Sequence, residues 1–435
     1  MGRVRDVVVP SFGARIAQRF GFGLSRELWL VQVGIFLNAL GWGAVLPFEI
    51  IYLHDGRGFS LGAAGLVVGT LTGVAVLSAP CVGPLIDRFG ARAVAAGAGI
   101  ALSAGYAGLA FAHSEAVAFV AAAVGGAGNG ALQPAQSTLL AALAAPGMRH
   151  RAGAVSRVCT NAGFGLGGAL GGAVAGFGLS GFVALFLLNS LTYLAYIGVL
   201  IAVVRKTPGP EPLAGGYRRV LRDGAFMHLV VTNTAIIAIG WGVLSWIVPP
   251  FAKEIGVRPQ LIGLLLLANA AAVVVAQVPV AKIAEGRRRV VMMAVGATLI
   301  AGACLLILAG QALGREAYAA LAVAAITIGI GECFHTVALM PLVADLAPES
   351  LRGRYMATTG LSWWVGLALA PTLGTRLLSA SATLTFVVAA AIAAAAAVSM
   401  LSLDARLPDV ARRTPRPDVA RPPLLSQVSA EARGG

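Results

Sequence analysis

The sequence is short of charge. It carries 18 acidic and 32 basic side chains in 435 residues, or 11%, where a soluble domain carries about a quarter. Lysine is nearly missing, limited to Lys206, Lys253 and Lys282. With 58% of residues hydrophobic and a mean hydropathy of +0.85, so few charges cannot cover the apolar surface, and the soluble classes are excluded. Cysteine is scarce too. Cys81, Cys159, Cys304 and Cys333 all fall in apolar runs without a C-x-x-C spacing. They read as small buried hydrophobes, and neither a disulfide framework nor a metal site is expected. No G-x-x-x-x-G-K-[ST] motif occurs, which argues against a nucleotide-driven pump. The loops hold no nucleophile–base pair or metal cluster, so the expectation is a non-enzyme without cofactors. Arg3 and Arg5 are not followed by a short apolar stretch with a cleavage site, so no removable signal peptide is expected.

What the sequence has in abundance is apolar runs of about 20 residues, long enough for about 30 Å of hydrocarbon. They begin near Leu28, Leu61, Ala93, Ala116, Val155 and Gly181, and again near Ala225, Leu261, Val290, Tyr318, Met356 and Ala382. The fold expected is an all-α polytopic membrane protein, with twelve transmembrane helices as two pseudo-symmetric six-helix bundles. The bundles are placed at 28–204 and 225–403, after an N-terminal arm (1–27) and around a linker (205–224) with Pro208, Pro210, Pro212 and five basic residues. A polar, proline-rich tail (404–435) is expected to be disordered.

The charges that exist are placed unevenly. Counted on alternate sides of the runs, Lys and Arg number 27 on the side of the two termini and 5 on the other: Arg57, Lys253, Arg258, Arg315 and Arg376. This asymmetry predicts cytoplasmic termini in the cell membrane. It also accounts for the net charge of +14 as a topology device with affinity for the lipid bilayer, so no nucleic-acid partner is expected.

The two sets of runs repeat one another. Gly41-Trp42-Gly43 recurs as Gly240-Trp241-Gly242 at an offset of 199, and Gly83-x-Leu85-x-Asp87 as Ala281-x-Ile283-x-Glu285 at 198. Gly163, Gly171 and Arg151 recur as Gly366, Gly374 and Arg354 at 203. Such duplication in a membrane protein marks transporters with a substrate site between the halves, near the bilayer midplane.

After the second run the chain reads Gly83-Pro-Leu85-Ile-Asp87-Arg88-Phe-Gly90-Ala91-Arg92. This resembles the signature loop of the major facilitator superfamily, with Ala91 where a basic residue is usual. The resemblance implies twelve helices and a loop that latches the halves on the cytoplasmic side. Gly83, Asp87, Arg88, Gly90 and Arg92, with the weaker copy at Glu285, would form that cytoplasmic gate; Arg88 and Arg92 also serve topology. The fifth run holds Gly163, Gly167, Gly168, Gly171 and Gly172, similar to the family's exporter motif but with Gly168 in place of proline. The eleventh run repeats the pattern and keeps Pro371. Gly163, Gly167, Gly171, Gly172 and Pro371 are therefore candidates for a helix-packing hinge, with simple tight packing as the alternative.

Only two acids lie inside runs, Glu49 and Glu332. A charge at a helix centre costs about 2.5–3.5 kcal/mol on insertion scales, and no basic residue shares the depth of Glu332. It is able to take and release a proton. It also resembles the helix-10 Gly-Glu of drug/proton antiporters of this superfamily, which implies proton coupling and a cationic substrate. The alternative is a protonated acid hydrogen-bonded between helices. His335, three residues on, is either a proton relay or a satisfied core histidine. Glu49 is expected to be an interfacial acid reaching water near Arg57. Trp29 and Tyr52 read as interface anchors.

In this superfamily the first, fourth, seventh and tenth helices line the cavity. On those helices Asn38, Asn129, Gln133 and Asn233 are candidate substrate contacts, or else interhelical hydrogen bonds; Gln136 shares their face of the fourth helix. Trp42 and Trp241 either stack on a flat ligand or pack beside their glycines. The fourth run lacks the arginine that many family antiporters have.

The function expected is a monomeric secondary transporter exporting lipophilic small molecules, drugs or metabolites, in exchange for protons by alternating access. The alternatives are a solute importer or facilitator of the same superfamily, and a non-transporting membrane receptor or assembly protein. An organic-anion site would call for an intramembrane arginine, and none is found.

Overall fold

The structure is a computed structural model that describes residues 24–144, 149–204, 217–348 and 351–414. Arm residues 1–23, linker residues 205–216 and tail residues 415–435 lie outside that range. Among the described residues the chain is helical and has no strand. The long helices are α1 (Arg26–Gly56), α2 (Leu61–Phe89), α3 (Ala91–Ala110), α4 (Glu115–Leu143), α5 (Arg149–Ala175) and α6 (Leu179–Val203), then α7 (Gly224–Glu254), α8 (Pro259–Ala284), α9 (Arg289–Gly310), α10 (Ala317–Leu346), α11 (Arg352–Ala380) and α12 (Ala382–Leu403). Eleven of them are long and apolar enough to cross a membrane; α11 is the exception. It carries Arg354 and Arg376, and a row of hydroxyls at Thr358, Thr359, Ser362, Thr372 and Thr375.

Serines stop the chain and start the helices. Ser25, Ser60, Ser114 and Ser381 accept a backbone N–H in the first turns of α1, α2, α4 and α12. Gly90, with φ of 80°, makes the tight turn between α2 and α3 that a side chain would strain.

Two helices depart from α winding. In α1, Pro47 lies in a 3₁₀ turn (Leu46–Phe48), and the helix ends in π winding at Tyr52–Gly56. In α7, ten residues from Ala238 to Ile247 are π-wound, immediately before Pro249-Pro250. Proline has no N–H to give and its ring crowds the carbonyl one turn back, so the wide winding ahead of Pro249-Pro250 relieves that conflict. π winding brings residues five apart onto one face. That is why Arg57 reaches Tyr52, donating from Nε to Oη at 2.6 Å, and why the rings of Trp241 and Trp246 meet edge to face at 6.2 Å.

Helices α1–α6 pack among themselves, as do α7–α12, and the two sets meet along α2–α11 and α5–α8. Small residues permit both seams. On α2, a Cβ at Gly65 would strike Thr375, and one at Gly69 would strike Thr372. One turn further on, a Cβ at Gly73 would meet nothing within 4 Å. On α5, Gly172 abuts Pro259 and Gln260 of α8, whereas Gly153 meets nothing. The sets therefore touch in the half of the molecule opposite the chain ends, here called the far face, and part towards the terminal face.

Where disorder was expected from residue 404 on, the described part of the tail, 404–414, folds through a turn at Asp404–Arg406 and a short helix at Asp409–Arg412. Asp404 pairs with Arg288 at 2.6 Å, and the backbones of Arg287 and Thr414 bond at 3.0 Å, stapling this segment to the α8–α9 turn. The linker's last residues are ordered too: Tyr217–Leu221 is helical, and Asp223 caps α7 while accepting from Tyr355 Oη at 2.7 Å.

Candidate functional site

Where the two sets of helices meet, aromatic rings form a continuous cluster. Trp42 of α1 lies 5.6 Å from Trp241 of α7 between ring centroids. Phe164 of α5 sits 5.5 Å from Trp42 and 5.1 Å from Trp241, and Trp363 of α11 is 5.4 Å from Trp241. Trp42, Trp241 and Trp363 are each half-buried, so the cluster keeps faces open. Trp42 and Trp241, expected either to pack beside their glycines or to stack on a flat ligand, pack against one another and against Phe164 and remain half-buried. Phe164, Trp246 and Trp363 were not singled out by sequence. Their membership depends on which helices touch, which no local pattern encodes.

Glu332 lies in the middle of α10. Its Oε1 is enclosed and has no hydrogen-bond partner among the described residues. The ion pairs among those residues sit at the faces: Lys253 with Asp55 and His54 with Asp55 at the far face, and Arg288 with Asp404, Arg289 with Asp345 and Arg412 with Asp409 at the terminal face. Burying an acid without a cation or donor costs free energy and brings no structural gain, which makes Glu332 a candidate functional residue.

His335 is 4% exposed and its Nε2 lies 2.6 Å from Asn233 Oδ1. Asn233 Nδ2 donates to Ser362 Oγ at 2.6 Å, and Ser362 donates to Thr359 O at 2.7 Å. The direction of this relay fixes the ring: Oδ1 can only accept, so the neutral imidazole carries its hydrogen on Nε2. Nδ1 is enclosed and unpartnered. Asn233, 1% exposed with both amide atoms engaged, is interhelical glue between α7, α10 and α11 rather than a cavity-wall contact. Of the other candidate contacts, Asn38 and Asn129 are half-buried and Gln133 is exposed. Asn38 Nδ2 is enclosed and has no hydrogen-bond partner among the described residues.

No described contact joins Gly83, Arg88 or Arg92 to the second half. Gly83 is open, with nothing within 4 Å of an added Cβ. Arg88 lies over the Phe89 ring at 5.2 Å, Arg92 donates to Ile201 O at 2.9 Å, and Glu285 is exposed. The Asp87 side chain lies outside the described set. The hinge glycines separate into two stripes. Gly163, Gly167 and Gly171 lie against α1, with Gly163 facing Ala39 and Gly171 facing Ala44; Gly168 and Gly172 lie against α8. Pro371 O accepts from Thr375 Oγ1 at 2.6 Å beside Gly65.

Three expectations are corrected. Glu49 is not an interfacial acid in water: it is 2% exposed and accepts from Tyr106 Oη at 3.1 Å and Trp246 Nε1 at 2.9 Å. Tyr52 is fully buried, donating to Ala110 O at 2.8 Å, so it fastens α1 to α3 instead of anchoring at an interface. Cys81 is exposed and Cys159 half-buried; only Cys304 and Cys333 are buried.

Comparison with known proteins agrees with this geometry. The chain is 27% identical over 354 residues to the multidrug resistance protein MdtH of Aeromonas salmonicida (strain A449), covering 78% of this chain and 84% of that one. It is 26% identical over 359 residues to the MFS-type transporter YttB of Bacillus subtilis (strain 168), covering 81% and 88%. Among solved structures, the fold superposes on a peptide transporter, POT, in complex with sulfate, with a TM-score of 0.72 at 16% identity over 89% of this chain and 98% of that one. It also superposes on a D-xylose–proton symporter with a TM-score of 0.71 at 16% identity, over 89% and 100%. Residues 33–234 and 230–432 each match the family description Major Facilitator Superfamily. Spanning helices, two helix sets parted towards one face and a double match over nearly the whole length lead to one conclusion: the chain belongs to the Major Facilitator Superfamily, a multi-pass membrane transporter and not an enzyme.

Proposed function

We propose that this transporter exports lipophilic small molecules in exchange for protons by alternating access. The reading rests on one observation above the others: Glu332 is a mid-membrane acid without a counter-ion, in a molecule whose two halves meet at a half-open aromatic cluster. Indole faces attract cations and flat apolar rings, so the substrate class is the lipophilic cation or aromatic compound. The naming of MdtH as a multidrug resistance protein supports the same class. Trp42, Trp241 and Asn129 would contact the substrate, and Glu332 would hold either its positive charge or a proton.

In this proposal α11 is the twelfth span, its hydroxyls bonded back to its own carbonyls, and 28–204 and 225–403 are the two pseudo-symmetric six-helix bundles. The 27-to-5 distribution of Lys and Arg puts the termini in the cytoplasm of a cell membrane. The conformation described, parted towards the terminal face, is then inward-facing. Proton entry supplies about 2.3 kcal/mol per charge per 100 mV. The working unit is a monomer.

The test is substrate-induced proton movement in inside-out vesicles, using a panel of lipophilic cations and neutral compounds. Wild type should release protons on substrate addition, and Glu332→Gln should bind substrate without releasing them. If both move substrate down its gradient without proton movement, antiport fails and a facilitator is left.

A further inference from the structure

Glu49 is the second buried acid, and the export mechanism above does not use it. It sits where the far face is closed. Tyr106, which donates to Oε1, belongs to α3 of the first half; Trp246, which donates to Oε2, belongs to α7 of the second. One carboxylate thus bridges the halves, with one donor from each on either oxygen. Trp246 is also 2% exposed and rests edge to face on Trp241, the ring central to the aromatic cluster.

The donor set favours an ionised acceptor. An indole N–H can only donate, and the Tyr106 hydroxyl is already turned towards Glu49. An ionised carboxylate serves both with charge assistance; a neutral carboxyl serves them more weakly and brings a hydrogen of its own to place. Among the described residues no cation neutralises it by direct contact. Arg57, on the same helix, is turned to Tyr52 and Ala110, and Lys253 to Asp55. Around Glu49 the titratable groups are Tyr52, His54, Asp55 and Arg57 of α1, Tyr106 of α3, Tyr193 of α6 stacked on Tyr106 at 5.9 Å, and Lys253 and Glu254 of α7. The far ends of α2 and α5, packed on the same segment, bring none.

We propose that Glu49 is a second proton-binding site, which holds the far face closed when ionised and releases it when protonated, and which senses the substrate cluster through Trp246. It rests on the alternating-access reading, and it adds a proton site facing the side opposite the termini. A ligand that shifts Trp241 displaces Trp246, and the carboxylate then loses its donor from the second half.

The experiment reads conformation without substrate or transport. Spin labels at His113→Cys and Gln311→Cys, both exposed on the far face, report the separation of the halves in lipid nanodiscs, with Cys81 and Cys159 replaced by alanine. Acidification should move the wild-type population from a short to a long distance. Glu49→Gln should be long at every pH, its closed-to-open ratio lowered about tenfold, the usual advantage of a charge-assisted over a neutral hydrogen bond. Glu49→Asp should keep a pH response, and Trp246→Phe should lengthen the distance without abolishing folding. A His54→Gln control should respond as wild type does. A pH response unchanged in Glu49→Gln, or lost in His54→Gln, overturns the proposal. Because no proton flux is measured, a failed vesicle experiment with Glu332 leaves this outcome readable on its own.

Discussion

At the scale of single residues, the acids and amides inside the membrane divide by whether their atoms are satisfied. Glu332 has an enclosed oxygen without a partner, and its isolation was legible in the sequence because an acid in a long apolar run has few explanations. Asn233 was not legible. Whether an amide faces a cavity or a neighbour is decided by helix rotation, and here His335 and Ser362 take both ends of it. Its replacement carries a specific expectation. Asn233→Leu leaves the His335 N–H and the Ser362 hydroxyl without their shared partner in a buried site, costing about 1–3 kcal/mol. A plain interhelical bond in a membrane is worth about 0.6 kcal/mol. Thermal unfolding in detergent should therefore show a clear fall for Asn233→Leu and a smaller one for Ser362→Ala, where only one interhelical bond is lost and the other, to Thr359 O, lies within α11. Equal small effects would return Asn233 to the cavity wall.

At the scale of helices, length and apolar composition gave away nearly every span, but the winding within them stayed hidden. Pro249-Pro250 were visible; that the turns before them widen and place Trp241 over Trp246 depends on how the helix relieves proline crowding, and the π turn that places Tyr52 over Arg57 has no proline beyond it to announce it. The glycines of α5 show the same boundary. Their spacing announced close packing, and only the structure assigns one stripe to α1, within the first half, and the other to α8, across the seam. The two stripes predict different phenotypes. A Cβ at Gly167 would lie 2.9 Å from Ala44 N, in contacts internal to one half, so Gly167→Val should lower the melting temperature and the yield. A Cβ at Gly168 would lie 3.0 Å from Leu266 Cβ and 3.1 Å from Gly263 O. Gly168→Val should leave melting near wild type while spreading the far-face ends of α5 and α8, read as a longer spin-label distance between them. Melting lowered equally by both would mean that the seam is as rigid as the interior of a half.

At the scale of the whole molecule, the two halves are joined at the far face by few side-chain links. Asp55 of α1 pairs with Lys253 of α7, and both are partly exposed, so the pair contributes at most about 1 kcal/mol. Its value is geometric. Asp55→Cys with Lys253→Cys should cross-link under mild oxidation only when the far face is closed, stop transport, and release it on reduction. Formation of the link with transport intact would show that the halves need not part there. None of this joining was legible beforehand, since the partners lie 198 residues apart and no local pattern links them. The two successive matches to the family, at 33–234 and 230–432, had a trace in the sequence: Gly41-Trp42-Gly43 and Gly240-Trp241-Gly242 stand 199 residues apart.

The π stretch of α7 has a consequence for timing. Five residues of α-helix turn about 140° beyond one full revolution, so Trp246 and Trp241 share an azimuth only while those ten residues keep their wide winding. Rewound as α-helix, the same segment would carry one indole out of phase with the other and away from Glu49. The helix would then act as a clutch, engaged in one winding and slipping in the other, with the two prolines beyond it setting which winding is at rest.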